Sequence, residues 1–443
     1  MPVVHGIRAC RPRTNGSTLR RRRRKGRQSG SGHPPPRHDE DIEGQVIVSI
    51  LALACAGSAL AAVVAQWMPK ALLPALVLEI AFGILVGPHG LGFLSPGPSM
   101  ELFAQIGLAI PMVIAGLEVD FGALLARPQG AQRARPLILA ILISLLTLAM
   151  AGLGAWLLLD PGTPLVHLAI YAAILSTSSV GIVVPMIQEK GIASDIYGQT
   201  ILSAALLVDF FAMIAISALA GIVVSGSAQG ALGSLALVAI AVPAIRLLPR
   251  LLARVPAARL DNRTSLPFVR LSLALLFLTA WLAEMLNSQL VLAAFLAGLL
   301  LGQIVPRGSH RRERLEVIGY GFIVPFFFIN VGLKFDIPAL LGSPKTLWLV
   351  PGFVAVAFAN KIIPSLLLVP IHGRRKAMAA GILLSARISL IVAASDIATR
   401  IGVLDTATNA AMVLVAIISA ALAPILFNIL AAPHRQPPMP VQA

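Results

Sequence analysis

Long apolar runs recur along almost the whole of this 443-residue sequence. Runs of about 18 residues or more allow a helix to cross a hydrocarbon core of about 30 Å. They are continuous rather than alternating, which excludes the strands of a membrane barrel. With 57% hydrophobic and only 12% charged residues, a chain of this length could not stay soluble. The sequence therefore predicts an all-α membrane protein with many spans.

About thirteen segments meet this description, and short linkers containing Pro and Gly separate several of them. An odd count suits two inverted six-helix repeats joined by one further span, an architecture that places a transporter's site near the bilayer midplane. The pairing to expect is the fourth to sixth spans with the eleventh to thirteenth. The predicted spans are 46–68, 72–88, 101–118, 136–159, 165–188, 199–225, 231–253, 266–286, 289–305, 315–333, 346–370, 377–399 and 407–431.

The sequence divides into a disordered basic tail, 1–43, a transmembrane domain, 44–432, and a short C-terminal tail, 433–443. The basic tail is either a segment that binds anionic lipid or nucleic acid, or a variable extension of the chain. We favour the variable extension. Elsewhere the basic residues concentrate in alternate short loops, which argues against nucleic acid as a partner and predicts a cytoplasmic C-terminus in the cell membrane. That orientation leaves the basic tail outside, in conflict with the same rule.

Asp209 is a carboxylate near the middle of the apolar run 201–224. A charge at the centre of a membrane helix costs about 2.5–3.5 kcal/mol on insertion scales, so such residues have a partner, an aqueous path or a function. A carboxyl group in low dielectric exchanges its proton closer to neutral pH than one in water. Without its proton it offers hard oxygen ligands to a small cation. Asp209 is thus predicted to bind a proton and a cation in turn, rather than only to balance a charge.

Lys361 lies inside the eleventh span, about fifteen residues from its start and about nine from its end, so its amine does not easily reach an interface by snorkelling. It needs a counter-charge, and Asp209 is the candidate. The ion pair has a role in transport if Lys361 is released from Asp209, or itself titrates, during the cycle. If the pair never separates, its role is only to stabilise the helix bundle. Both roles remain open.

Polar residues interrupt the fifth and twelfth spans at corresponding positions, 176–179 and 385–389. Helices that unwind at such positions free carbonyl groups for ion binding. Thr177 and Ser178 are therefore candidate cation ligands beside Asp209. Taken alone, they would be read as hydrogen-bonding residues between packed helices.

Other charges lie close to apolar runs. We expect Arg387 and Glu189 to form a pair between the two interrupted helices, and Glu79 to line an access funnel. A further group at span ends is expected to be solvated, and its members are Glu118, Asp120, Lys334 and Asp336.

The sequence contains no Walker motif, no dinucleotide loop and no serine or cysteine nucleophile arrangement. We therefore expect no cofactor and no enzymatic activity, and transport driven by an ion gradient. No soluble regulatory domain is expected after the last span.

Seven short motifs, in order along residues 46–431, resemble the second branch of the monovalent cation:proton antiporter family, the sodium/proton and potassium/proton exchangers. Each motif alone is weak, but their order and spacing are specific. They are Pro74–Glu79 with Gly83–Pro88, Gly116–Asp120, Thr177-Ser178 with Val184–Gly191, Val208-Asp209, Ala294–Gly298, Pro325–Phe328 with Gly332-Leu333, and Lys361.

The resemblance implies a homodimer in which a mobile core domain moves against a dimerisation domain by elevator-type alternating access. It implies that the fifth and twelfth helices cross where they unwind. It places the ion site at Asp209, Thr177 and Ser178, with Lys361 as a core lysine. Three positions depart from the family pattern: Val208 replaces a polar residue before the aspartate, Ser179 replaces a proline, and Ser389 replaces a glutamate.

Losing the polar residue at Val208 favours a one-proton, electroneutral exchange of Na⁺ or K⁺ for H⁺. Two other functions stay open: a symporter of an organic anion or other solute on a related inverted-repeat scaffold, and a membrane sensor that transports nothing. The long basic tail and the missing acidic positions keep the sensor open.

Overall fold

The computed structural model describes residues 38–67, 75–119, 136–192, 195–252, 267–303 and 310–431. The chain divides into a short unit, Met1–Val46, and the unit Ile47–Ala443, to which all contacts discussed below belong. Regular structure in the described residues is entirely helical, with no β-strand. The predicted all-α class is therefore confirmed. Asp120 and the predicted tails lie largely or wholly outside the described residues.

Eighteen α-helices follow one another in the described part of the chain. Three short segments of other helix types interrupt them: 3₁₀ turns at Ala228–Ala231 and Leu366–Leu368, and a π-helical turn at Gly319–Ile323. The α-helices are α1 His38–Trp67, α2 Ala75–Val86, α3 Pro98–Leu117, α4 Pro136–Leu158, α5 Leu165–Ser176, α6 Val180–Glu189, α7 Ile196–Ser225, α8 Leu232–Leu252, α9 Pro267–Met285, α10 Leu290–Gly302, α11 His310–Ile318, α12 Val324–Leu333, α13 Ile337–Gly342, α14 Pro344–Ser365, α15 Val369–His372, α16 Arg374–Leu384, α17 Ser389–Arg400 and α18 Thr406–Leu430.

Each of the thirteen predicted spans coincides with one of these helices or with a consecutive pair. Ten continuous or nearly continuous segments of the described chain are long and apolar enough to cross a membrane. The pair α16 and α17 meets the same test but bends by 45° at its break, while α2 and α10 are apolar but shorter. The chain is thus a multi-pass membrane protein, and the number of crossings stays a prediction.

The helices pack into two bundles. In the first, which we call the scaffold bundle, α3 packs against α10 and α12, and α12 against α2. In the second, the core bundle, α4 packs against α5, α7 and α14, and α18 packs against α14, α16 and α17. The core bundle thus contains the six spans whose pairing the sequence predicts. Inverted symmetry between its two halves remains a prediction.

Glycines allow α3 and α10 to approach closely in the scaffold bundle. A Cβ atom at Gly298 would lie 2.0 Å from the carbonyl oxygen of Val113, and one at Gly116 would lie 2.3 Å from that of Phe295. Small residues permit such approach between membrane helices, where packing rather than the hydrophobic effect drives association.

Gly298→Val is therefore expected to force α3 and α10 apart and to lower the free energy of unfolding by about 2 kcal/mol or more, as overpacking does elsewhere. Thermal unfolding of the purified protein in detergent would measure this. Gly321→Val is the matched control, because a Cβ at Gly321 meets no atom within 4 Å. Equal melting temperatures for the two variants would show that the close approach contributes nothing to stability.

Candidate functional site

The first break separates α5 from α6. Helix α5 ends at Ser176, the backbone is extended at Thr177 and Ser179, and α6 begins at Val180. Hydroxyl groups take over the hydrogen bonding of the last turn: Ser176 donates to the carbonyl of Ala173 at 2.8 Å, and Thr177 to that of Ile174 at 2.9 Å. Side chains that compete for backbone groups in this way disfavour a continuous helix. The interruption lies where the sequence predicts it.

The second break lies between Leu384, the last residue of α16, and Ser389, the first of α17. Here the hydroxyl of Ser385 donates to the carbonyl of Gly381 at 2.8 Å. The two breaks are in contact, because the hydroxyl of Ser178 donates to the carbonyl of Leu384 at 2.8 Å. Two interrupted helices of the core bundle thus meet where both are unwound.

Buried cationic and amide side chains bind the carbonyl end of α5. The amide of Asn360 donates to the carbonyl of Leu175 at 2.7 Å, and the guanidinium of Arg387 donates to the same oxygen. The amine of Lys361 donates to the carbonyl of Ser176 at 2.6 Å. Arg387 and Lys361 are 0% and 1% exposed. Carbonyl groups at a helix C-terminus lack intrahelical donors and carry partial negative charge. A cationic side chain there supplies a hydrogen-bond donor and also balances the charge.

Asp209 lies near the middle of α7 and is 5% exposed. Its Oδ1 atom accepts a hydrogen bond of 2.6 Å from the backbone N–H of Ser178. The carboxylate therefore binds the unwound segment directly, at an amide that a continuous helix would have used itself.

Lys361 and Asp209 contact the same break but do not pair in this conformation. Among the described residues, no nitrogen–oxygen distance of 4 Å or less joins them. Lys361 binds the carbonyl of Ser176, while Asp209 binds the amide of Ser178, two residues further along. The predicted ion pair is thus replaced here by two contacts to one segment of backbone.

Asp209 lines a cavity of about 490 Å³. Its wall also includes Ser178 and Ser179 from the first break and Ser389 from the start of α17. Near Asp209 these hydroxyl groups and the carboxylate are oxygen donors of the kind that small hard cations prefer. Thr177 is fully buried and does not line the cavity, whereas Ser179 does, and the role of Thr177 as a cation ligand stays a prediction.

Charged side chains also line this cavity. Arg312 binds the carboxylate of Glu118 and, at 2.9 Å, that of Glu316. Glu118 was expected to be solvated at a span end, but its side chain is only 16% exposed and paired. Sequence patterns do not reveal this pair, because 194 residues separate its members.

Three further expectations differ from the structure. Glu189 is exposed at the end of α6, and the fully buried Arg387 binds backbone carbonyls rather than this carboxylate. Glu79 is buried and accepts a hydrogen bond from Ser58 at 3.2 Å, but it does not line the cavity. Lys334 was expected to be solvated, yet it pairs with Glu101 at 2.6 Å and lies 3.6 Å from Asp396.

Sequence reasoning missed Asn360, although the signal was present. An amide directly before a buried lysine, within an apolar run, needs hydrogen-bond partners of its own. Ser179 and Ser389 were noted as members of the polar interruptions and as departures from a family pattern, but not as candidate ligands, and both line the cavity.

The model of the family described as "Sodium/hydrogen exchanger, transmembrane" matches residues 56–432, which is most of the chain. The chain belongs to the sodium/hydrogen exchanger family. Exchangers of this family are secondary transporters rather than enzymes, and the predicted family resemblance is confirmed.

Two relatives match similar parts of the chain. The Bacillus subtilis protein named "Putative Na(+)/H(+) antiporter YjbQ" is 28% identical over 380 residues, covering 83% of this chain and 61% of that protein. The Methanocaldococcus jannaschii protein named "Probable Na(+)/H(+) antiporter 3" is 26% identical over 373 residues, covering 82% of this chain and 92% of that protein. The chain thus spans about three fifths of the length of the first relative.

A solved structure has the same fold. The sodium proton antiporter MjNhaP1 from Methanocaldococcus jannaschii, determined at pH 8, matches with a TM-score of 0.59 and 16% identity. The match covers 87% of the chain described here and 96% of the antiporter chain.

Proposed function

We propose that this chain exchanges Na⁺ or K⁺ for H⁺ across a membrane, and that Asp209 carries the two ions in turn. The observation that supports this most directly is the position of Asp209, which lines a cavity of about 490 Å³ and is hydrogen-bonded to a broken helix. The family and the names of both relatives agree with this chemistry.

Exchange follows from competition at one carboxylate. A deprotonated Asp209 attracts a cation, for which Ser178 and Ser179 supply further oxygen ligands from the cavity wall. A protonated Asp209 has lost the charge that binds the cation. Because both ions cannot occupy the carboxylate together, each leaves when the other binds, and the gradient of one drives transport of the other.

Lys361 supports this cycle through the backbone of the break. Its amine holds the carbonyl of Ser176 while Asp209 holds the amide of Ser178. A cation at Asp209 would add to the positive charge that Lys361 and Arg387 already bring to the break. Release of Lys361 toward Asp209, when the carboxylate has neither ion, remains part of the proposal.

Alternating access is proposed to occur by movement of the core bundle against the scaffold bundle. Helices of both bundles line the cavity: α3 contributes Met112 and Ala115, and the core bundle contributes Asp209 and Ser178. Movement of one bundle past the other would close this cavity and open another. We propose a homodimer, as the family resemblance implies, and a one-proton exchange, because Val208 supplies no second titratable group.

Purified protein in liposomes containing a trapped pH dye is expected to show proton flux on addition of Na⁺ or K⁺, and none with choline. For a Na⁺ response, a one-for-one exchange gives equal rates with and without valinomycin in symmetric K⁺, because no net charge moves. A rate that rises strongly with valinomycin would contradict the electroneutral cycle. Uptake of a labelled organic anion with Na⁺, without proton flux, would contradict exchange itself.

A further inference from the structure

A second group of charged residues lies at the far ends of the helices that form the cavity. Lys334 pairs with Glu101 at 2.6 Å and lies 3.6 Å from Asp396. Arg400 pairs with Asp396 at 2.8 Å and also with Glu101. We call these four residues the distal ion-pair cluster. Two acids and two bases leave it without net charge, so it is poorly suited to hold a cation.

The distal ion-pair cluster joins the two bundles. Glu101 lies in the first turn of α3, and Lys334 directly follows α12, so both belong to the scaffold bundle. Asp396 and Arg400 lie near the end of α17, which packs on α18 of the core bundle. The contacts of Lys334 with Asp396 and of Arg400 with Glu101 therefore cross the boundary between the bundles.

The distal ion-pair cluster and the main cavity lie at opposite ends of shared helices. Ser389, the first residue of α17, lines the cavity, and Arg400, the last, lies about 16 Å further along at 1.5 Å per residue. On α3 the order is reversed: Glu101 is in the first turn, and Met112 and Ala115 line the cavity. The cavity that Asp209 lines and the distal ion-pair cluster thus lie toward opposite ends of α3 and α17.

Beneath the distal ion-pair cluster is a second, much smaller cavity of about 50 Å³, bordered by all four charged residues. Apolar side chains narrow it, among them Leu108, Phe327 and Val392. It also contains the buried amide oxygens of Asn330 and Asn409, which accept no hydrogen bond from any described residue. Such polar groups suit a passage that is hydrated when it widens.

We propose that the distal ion-pair cluster is the gate on the closed side of the transporter. Its ion pairs hold the two bundles together while the main cavity is open. These ion pairs break when the ion site becomes accessible from the opposite side of the membrane. The proposal rests on the proposed alternating access. The exposed fractions of its side chains, from 25% for Glu101 to 48% for Arg400, place it where water reaches the protein.

Cross-linking tests whether the gate must open. In a background carrying Cys10→Ser and Cys55→Ser, the variant Glu101→Cys with Arg400→Cys would be treated with a reducible bifunctional thiol reagent. We expect proton flux to fall about tenfold or more, because one conformation is trapped, and to return after reduction. The matched control is Asp160→Cys with Lys345→Cys, an exposed ion pair of which Lys345 lies on α14 and Asp160 follows α4. Its cross-link should leave flux unchanged.

Labelling tests the gate without transport. Val392→Cys in the same background lines the small cavity, and Lys334→Met should raise its reaction rate with a membrane-impermeant maleimide by about fivefold, since partly exposed ion pairs bias such an equilibrium only modestly. Lys345→Met should not change the rate. Full flux through the cross-linked gate, or labelling that Lys334→Met leaves unchanged, would overturn the gate. Absence of flux in the unmodified protein would instead contradict the proposed exchange, and the labelling result would still decide the gate.

Discussion

Asp209→Asn is expected to reduce cation-coupled proton flux to the level of liposomes without protein, a loss on the order of 10²-fold or more, as for other residues that transfer protons directly. The amide has nearly the shape of the carboxylate. Its oxygen can still accept the hydrogen bond that Asp209 accepts from the N–H of Ser178 at 2.6 Å. The amide does not exchange a proton in the physiological range, and it carries no charge to attract a cation.

The folded state should survive this substitution, because the contact to the break is retained and a buried charge is removed. The melting temperature in detergent is therefore expected to stay at or above that of the unmodified protein. Asp160→Asn is the matched control: it removes an exposed carboxylate paired with Lys345 and should leave flux unchanged. Substantial flux through Asp209→Asn, at normal protein levels, would exclude this residue as the carrier.

Asp209→Glu separates charge from position. The carboxylate is retained but lies one methylene further from α7, so it no longer meets the N–H of Ser178 at the same place. We expect measurable but reduced flux, with a weaker apparent affinity for the cation. Measurable proton flux in Asp209→Glu, together with loss of flux in Asp209→Asn, would show that the carboxylate charge at position 209 is what transport requires.

The sequence predicted those parts of the structure that depend on local composition. Apolar runs gave the helices, because a helix is the simplest way to satisfy backbone hydrogen bonds in lipid. Polar residues predicted the two breaks, at 177–179 and 385–388, because hydroxyl groups such as those of Thr177 and Ser385 compete for the same backbone atoms. Asp209 and Lys361 were recognisable as charges in apolar surroundings, and both reach the first break.

The hydrogen-bond and ion-pair partners of the charged side chains could not be predicted from local composition. Arg387 was expected to find a carboxylate, Glu189, but it binds carbonyl oxygens of Leu175 and Ala357. Every residue carries a carbonyl group, so a sequence does not mark those that a broken helix leaves available. Glu118 and Lys334 were expected to be solvated because they end spans, yet each meets an opposite charge from another helix. Such pairs depend on packing between distant segments.

Arg387→Met is expected to cause the largest loss of stability among the variants considered, about 3 kcal/mol. The guanidinium donates to the carbonyls of Leu175, Ala357 and Ser385, and a buried acceptor left without a partner costs about 1–3 kcal/mol. Removing a buried charge is favourable by itself and reduces this loss. The lost hydrogen bonds should still dominate, because the carbonyls of Leu175 and Ser385 lie at the two breaks, where few alternative donors are available. The carbonyl of Leu175 retains the amide of Asn360 as a donor, and that of Ala357 lies inside the continuous helix α14.

Thermal unfolding in detergent and flux at low temperature separate the two consequences of Arg387→Met. Flux should fall at least about tenfold even where the protein is folded, because the breaks hold the backbone that binds Asp209. Arg387→Lys keeps the charge but not the planar group that reaches several carbonyls, so it should recover only part of the stability. Arg270→Met, at an exposed position on α9, is the control. If Arg387→Met and Arg270→Met have the same melting temperature, the carbonyls of the breaks are hydrogen-bonded without the guanidinium. The buried Arg387 would then serve transport and not stability.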